Sequence, residues 1–349
     1  MKRILFLLAS LGTLSLAAQA GPSGYHMIRK LPLGGEGGWD YLVADSAARR
    51  LYVSRGTHVM VLNLDTEKVV GDIPDTPGVH GIALAPELNR GFTSNGQANT
   101  ATIFDLKTLQ VLGQVQTGTN PDAILYDPAS KKVFVFNRRS HDATVFDGAT
   151  GNVVRTLAIG GKPEFAVSDS AGKVYVNLED AGEIAEIDSV KLQITRRFST
   201  QPGLEPEGLA LDREKHRLYV GCHNKLLVAL DLVSGRVAGT VPIGDGVDGN
   251  VFDPETGLVF SANGREGTLT VAHETSAGKF EVLETVPTQI GARTLALDAK
   301  THNLYLPTAQ FGPVPETTPE ANTITAQGHH RHPHPPMVKD SFVILVVGK

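Results

Sequence analysis

The sequence predicts an all-β chain: a seven-bladed β-propeller of four-stranded antiparallel blades, its ring closed by an N-terminal strand in the last blade. Three observations carry this. A short strand motif recurs seven times, most copies are followed by the same three strand-like runs, and the last copy lacks a fourth run that a segment before the first copy can supply.

The motif occupies Asp40–Asp45, His80–Ala85, Asp122–Asp127, Glu164–Asp169, Glu207–Asp212, Asp248–Asp253 and Arg293–Asp298. Successive copies start 40, 42, 42, 43, 41 and 45 residues apart. A four-stranded propeller blade has a period of about 40–45 residues. A second run follows a turn, as in Leu51–Val53, Val133–Val135, Val174–Val176, Leu218–Val220 and Leu304–Leu306. A third runs into an aspartate, as in Val61–Asp65, Thr102–Asp105, Thr144–Asp147 and Val228–Asp231, and a fourth alternates, as in Val111–Val115 and Val153–Leu157. β-Branched runs bounded by Gly, Asp and Asn are strand and turn signals. No segment carries a sustained helical stripe.

The last copy ends at Phe342–Val347, its third run. Met27–Leu33, ahead of the first copy, resembles fourth runs such as Gly239–Ile243. Placing it on the outer edge of the last blade completes the ring and covers an otherwise unpaired strand edge.

Composition supports a packed chain. Hydrophobic residues make up 41% of the 349 and charged residues 20%, which is no signature of disorder. Lys2 and Arg3, the apolar stretch Ile4–Leu16 and Ala18-Gln19-Ala20 read as a signal peptide over residues 1–20, cleaved in the mature protein. That apolar stretch is shorter than the roughly 20 residues that span a bilayer. The expectation is a periplasmic or secreted, monomeric chain: one propeller domain over 21–349, with a Pro/His-rich insertion at 307–340 inside the last blade.

Losing Lys2 and Arg3 takes the formal charge from −5 to −7, and aromatics are 6%. Neither favours a nucleic-acid partner. The one cysteine, Cys222, has no internal disulfide partner. Adjacent strand residues point to opposite sides, so Cys222 and His223 should diverge and form no nucleophile–base pair. No phosphate-binding glycine loop, G-x-S-x-G, H-E-x-x-H or C-x-x-C occurs.

Arg50–Ser54, Lys173–Asn177 and Gly160–Glu164 resemble the YVTN-type repeat of YncE-like β-propellers. The resemblance runs from about Tyr25 to Lys349 and departs most in the last blade, where the insertion separates the second and third runs. It implies a seven-bladed ring and no particular chemistry. The family is similar to quinoprotein-type propellers, whose helical arms and cofactor motifs are absent here.

In an antiparallel blade, the start of the inner strand and the loop between strands two and three emerge on one face. Asp40, His80, Asp122, Glu164, Glu207, Asp248 and Arg293 should therefore ring the channel mouth. Arg55, Asn95, Asn137, Arg138, Asn177, His223, Asn224, Asn263, Arg265 and Gln310 should surround them from the loops. Carboxylates and amide oxygens suit a hard cation such as calcium. Equally, each acid could accept its own loop's N–H groups, and the arginines could neutralise the ring without a metal. His329, His330, His332 and His334 form a Pro-flanked tract that could collect zinc or copper over the mouth, or be a solvated loop.

The function expected is binding or interaction: a small ligand, a cation or a periplasmic protein partner held on the polar face. The alternatives are a metal-dependent hydrolase or lyase with an axial divalent ion, and a redox accessory protein of quinoprotein type.

Overall fold

The computed structural model describes residues 21–35, 37–276, 278–313 and 335–349. Over them run seven four-stranded antiparallel sheets, the blades 1 to 7 of a β-propeller. Blade 3 is representative: an inner strand Pro121–Asp127, a second Lys132–Asn137, a third Asp142–Asp147 and an outer strand Val153–Ala158. Each inner strand touches those of its two neighbours, and Ala296–Asp298 of blade 7 meets Leu42–Asp45 of blade 1 to shut the ring.

Blade 7 takes its outer strand from the N-terminal part of the chain. His26–Pro32 pairs antiparallel with Val343–Gly348, from His26 opposite Gly348 to Pro32 opposite Val343. The expected closure is therefore present. Buried Tyr25 locks it, donating from its hydroxyl to the His302 carbonyl at 3.2 Å while its ring packs on Phe260.

The core lies between blades. Seven apolar clusters, one in each blade–blade contact, fill the ring. Second strands face a neighbouring blade on both sides, so Val133, Phe134, Val135 and Phe136 are all fully buried. That is why these runs read as continuous apolar stretches. Burying each such side chain contributes about 1.5–3 kcal/mol.

The aspartates of the repeat divide into two structural kinds. Those ending the third strands cap the following turn: Asp105 accepts from the amides of Lys107 (2.8 Å) and Thr108 (2.7 Å), and Asp147 from Ala149 (3.0 Å) and Thr150 (2.8 Å). These are Asx turns. Of those ending the inner strands, Asp45 and Asp169 cap their own turns, while others stitch one blade to the next. Asp127 accepts from the Ser168 (2.6 Å) and Ser189 (2.7 Å) hydroxyls, and Asp298 from Arg49 (2.8 Å).

The insertion leaves from the mouth side. Its two arms pair at Phe311 and Met337, the Gly312 amide donates to the Pro336 carbonyl at 2.8 Å, and the Phe311 ring sits 6.0 Å from that of Trp39. Residues 1–20, read above as a signal peptide, and the His329–His334 tract lie outside the described residues.

Candidate functional site: a blind polar cup at the propeller mouth

The inner strands of blades 2 to 6 each begin with a register shift. It falls between Val79 and Ile82, Pro121 and Ile124, Pro163 and Ala166, Pro206 and Leu209, and Val247 and Gly249. His80, Asp122, Glu164, Glu207 and Asp248 sit inside these bulges. A bulge leaves a residue out of the ladder and re-aims its side chain. Asp40 and Arg293 stand just ahead of the shorter inner strands of blades 1 and 7.

The seven expected ring residues do come together, and counter-charges join them. His80 Nδ1 lies 2.6 Å from Asp40 Oδ2 and 3.7 Å from Asp122 Oδ1. Arg138 contacts Glu164, reaches Asp122 at 3.9 Å and donates to Glu179 at 3.1 Å. Lys162 contacts Glu179 and lies 3.8 Å from Glu164. His223 Nε2 is 3.2 Å from Glu207, and its Nδ1 is 2.9 Å from Glu205. Arg293 donates to Asp248 at 2.6 Å and to the Trp39 carbonyl at 3.2 Å, with Asp40 at 3.5 Å.

Crowding sets the protonation. Burial opposes the His80 cation, but the hydrogen bond to Asp40 and the charges of Asp122 and Asp40 outweigh it and hold its pKa at about 9. Burial pushes Asp122 up to about 6 against the pull of His80. Burial opposes ionisation of Asp40 too, yet His80 and Arg293 keep it below the usual carboxylate range. Across the ring, burial and the Asp122 charge raise Glu164 to about 11, and burial and the Asp248 charge raise Glu207 to about 9. Glu179 resists its burial through hydrogen bonds from Glu164 and Lys162, and falls to about 2. Glu164 therefore carries the proton that the pair shares.

The axis is closed directly beneath this ring. The residues following the ring positions are Tyr41, Gly81, Ala123, Phe165, Gly208, Gly249 and Thr294. Five are small, and the two large ones come from opposite sides and meet edge to face, ring centroids 5.1 Å apart. Below them remains about 70 Å³ of mostly apolar space against Ile82, Ile124 and Leu295. The mouth is thus a cup with an aromatic floor.

Its open volume, about 560 Å³, is off-centre over blades 1 to 3 and the rim of blade 7, lined by Trp39, Asp40, His80, Gln97, Asn99, Thr119, Asn120, Arg139 and Arg293. The offset follows from one position per blade, just past the second strand: Gly56, Gly96, Arg138, Glu179, His223, Gly264 and Ala309. Long polar side chains fill the mouth over blades 3 to 5, while Gly56 and Gly96 leave it open. A Cβ on Gly96 would stand 2.7 Å from His80 Nε2 and 2.8 Å from Asn120 Nδ2.

Five expected loop residues are placed away from the cup, which corrects the sequence reading. Asn95, Asn137, Asn177, Asn263 and Arg55 are fully buried. Asn137 donates to Asp142 (2.6 Å) and Thr144 (3.1 Å), Asn263 to Thr268 (3.1 Å) and Thr270 (2.9 Å), and Asn177 to the Glu207 carbonyl. Asn95 repeats the pattern with Thr100 and Thr102. Strand residues alternate sides, so Asn95, Asn137 and Asn263, each one position before the mouth residue of its blade, turn into the blade. Arg55 lies 3.5 Å over the Phe342 ring and donates to the Gly34 carbonyl, and burial lowers its pKa to about 10. Asn224 braces the loop through Leu204 and Pro202, Gln310 lies in the neck of the insertion, and Arg265 is on the outer rim, 71% exposed beside Asp245. Cys222 and His223 diverge as expected: burial raises the Cys222 thiol to about 12, while His223 faces the mouth.

Glu179, Lys162, Tyr41 and Phe165 were missed. Aligning the seven copies would have marked Glu179 as the counterpart of Arg138 and His223. The acids and His80 also form two groups, Asp40–His80–Asp122 and Glu164–Glu179–Glu207, each with ligand atoms within 4.8 Å of one another. Divalent ions take such donors, but Arg138 and Lys162 already neutralise the second group.

Bulged inner strands, an aromatic floor and a charge-balanced rim define a seven-bladed β-propeller with a polar cup at one mouth. A scan against known protein families finds no match, and no curated protein matches in sequence. Among solved structures, the chain is similar to the WD40 repeats of RRP9 (12% identity, 94% of this chain and 99% of that one, TM-score 0.75). It is also similar to U3-55K (12%, 91% and 98%, 0.73) and to a chain of Kuenenia stuttgartiensis hydrazine synthase (14%, 85% and 96%, 0.69). At such identities the likeness is one of fold. Among the described residues no helix is long and apolar enough to cross a membrane.

Proposed function

We propose that this is an exported propeller of YncE-like type that binds a small polar ligand in the cup over blades 1 to 3. One observation carries the reading. Glycines at two mouth positions leave about 560 Å³ open against His80, Asn120 and Arg293, above a floor that prevents passage down the axis. Pockets of this volume suit small ligands, with a few convergent polar groups fixing orientation. The wall is held by its own ion pairs, so its donors are preorganised before a ligand arrives. The leader-like residues 1–20 support export to the periplasm.

A thermal-shift screen of neutral, cationic and anionic small molecules tests this, run on wild type and on a cup-filling Gly96→Phe variant. Selective stabilisation of wild type by at least one class is the expected outcome. No stabilisation by any class, or the same stabilisation in both proteins, would sink the reading. A second reading, a divalent ion held by Asp40, His80 and Asp122, is favoured by their mutual approach within 4.8 Å. Elemental analysis of protein purified without chelator separates the two.

A further inference from the structure

Most of the hydrogen-bonding groups left free in the cup are uncharged. Three loops meet over blades 2 and 3 and line the cavity there. The second-to-third loop of blade 2 carries Gln97 and Asn99, the link into blade 3 carries Thr119 and Asn120, and the second-to-third loop of blade 3 carries Arg139. These loops brace one another. The Asn120 backbone amide donates to Asn99 Oδ1 at 2.7 Å and that of Thr119 to Ser140 Oγ at 2.9 Å. The backbone amides of Arg138 and Arg139 donate to the carbonyls of Asn120 (2.9 Å) and Thr119 (3.2 Å). None of these bonds engages the side-chain amides of Gln97 and Asn120, the Thr119 hydroxyl or Asn99 Nδ2. Among the described residues these four groups have no hydrogen-bond partner. They are held in place and left unused.

The charged groups of the wall are engaged with one another instead: Asp40 lies 2.6 Å from His80, and Arg293 2.6 Å from Asp248. Arg139, exposed on the rim, makes no ion pair among the described residues, and its N–H groups suit hydroxyl oxygens as well as anions. The apolar side chains of the lining, Trp39 and Val79, are only 9% and 4% exposed, so an alkyl or aryl group on a ligand would find little to cover. Small-molecule pockets are mostly apolar with a few polar groups. This cup reverses that proportion and fits a molecule that is hydrophilic on every side. A hydroxyl both donates and accepts. Two on neighbouring carbons can meet one side-chain amide, the first donating to its oxygen and the second accepting from its nitrogen. The match holds whichever ring nitrogen of His80 carries a proton. We infer that the cup's ligand is an uncharged polyol, a mono- or disaccharide, its hydroxyls held by Gln97, Asn99, Thr119 and Asn120. This rests on the small-ligand reading above and names the class of that ligand.

Three positions allow the cup to be altered without touching the ring. A Cβ on Gly38, in the same lining, would meet no atom within 4 Å, and the φ of Gly38 is not positive, so a larger side chain can stand there without strain. Asn120 has φ 55°, which glycine adopts freely, so Asn120→Gly removes the side-chain amide and keeps the turn. Gln97 is exposed and its amide holds nothing else, so Gln97→Ala leaves the loop as it is.

The experiment uses the full mature chain, titrated by calorimetry with neutral hexoses and their disaccharides. The matching uronic acids and amino sugars, cyclohexanol and a blocked glycine dipeptide complete the panel. At least one neutral sugar should bind, with an affinity unchanged between about 0.05 and 0.5 M salt, since an uncharged ligand leaves nothing to screen. Gln97→Ala and Asn120→Gly should each weaken it about three- to tenfold, the range for one lost hydrogen bond. Gly38→Phe should abolish it, with the circular-dichroism spectrum of all three variants matching wild type. A uronic acid, amino sugar, cyclohexanol or dipeptide that binds more tightly than every neutral sugar overturns the polyol assignment and leaves the cup a ligand site. Sugar binding undiminished in all three variants overturns the placement over blades 2 and 3. No binding by any neutral sugar overturns the inference, and the small-ligand reading falls with it only if the broader thermal-shift screen is also empty.

Discussion

Asn95 and Gly96 are neighbours with unrelated tasks. Asn95 turns inward and ties Thr100 to Thr102, while Gly96 lets His80 Nε2 and Asn120 Nδ2 pack to within 2.8 Å of where its Cβ would stand. The same alternation separates Cys222, wholly buried, from His223 at the mouth. A thiol with a pKa near 12 and no exposure should ignore a maleimide in the native protein and react fully in denaturant. Native labelling at a fraction of the denatured rate would contradict that placement. Ring positions were legible in the sequence because a charged residue in six copies, and a histidine in the seventh, repeat at one place in the blade. The strand-end asparagines misled because a one-residue offset in a strand reverses the side, and sequence alone does not show where the strand stops. Protonation gives a second residue-scale test. His80, Asp122, Glu164 and Glu207 all have folded pKa values above their ordinary ones, so between those limits the native state holds more protons than the unfolded chain. For His80 the stabilisation is complete below about 6.5 and is lost as pH rises through about 9, on the order of 3 kcal/mol. For the acids, rising pH forces ionisation of groups that folding prefers neutral. Glu179 has the opposite sign, but its effect is confined to about 2–4.5. Stability measured in urea should therefore fall from pH 5 to pH 9. Glu207→Gln should match wild type at pH 5 and exceed it at pH 9. A flat profile would contradict the protonated funnel.

At the scale of elements, the closing strand was legible from both ends: an apolar run ahead of the first copy and a missing fourth run after the last. His26–Pro32 pairs with Val343–Gly348 along its length, so removing it strips one face of a buried strand. A chain beginning at Gly34 should melt at least 10 °C lower and form oligomers through the bared edge, read by calorimetry and by size-exclusion with light scattering. Monomeric protein with wild-type melting would contradict the closure. The inner-strand bulges were not legible. They show only as register shifts against the second strand, and no residue type marks them. The floor was hidden for a related reason. Tyr41 and Phe165 are far apart in sequence, and only the ring geometry places blade 1 opposite blade 4.

For the whole molecule, seven near-equivalent blades make a symmetric scaffold, and the proposed site lies where the symmetry breaks. Small residues over blades 1 and 2, long polar ones over blades 3 to 5, and an insertion whose neck packs on Trp39 convert an axial channel into an off-centre cup. Around its rim His80, Arg138, Lys162 and Arg293 lie against carboxylates, while burial keeps Glu164 and Glu207 protonated. The most direct test is to equilibrate the mature protein and its Gly96→Phe variant separately with a whole-cell metabolite extract. Each is then washed and denatured, and the released molecules are compared by mass spectrometry. The account predicts at least one small polar compound retained stoichiometrically by wild type and absent from the variant, both proteins keeping the same all-β circular-dichroism spectrum. The same compounds released by both proteins, or none by wild type, would contradict the cup as the seat of function.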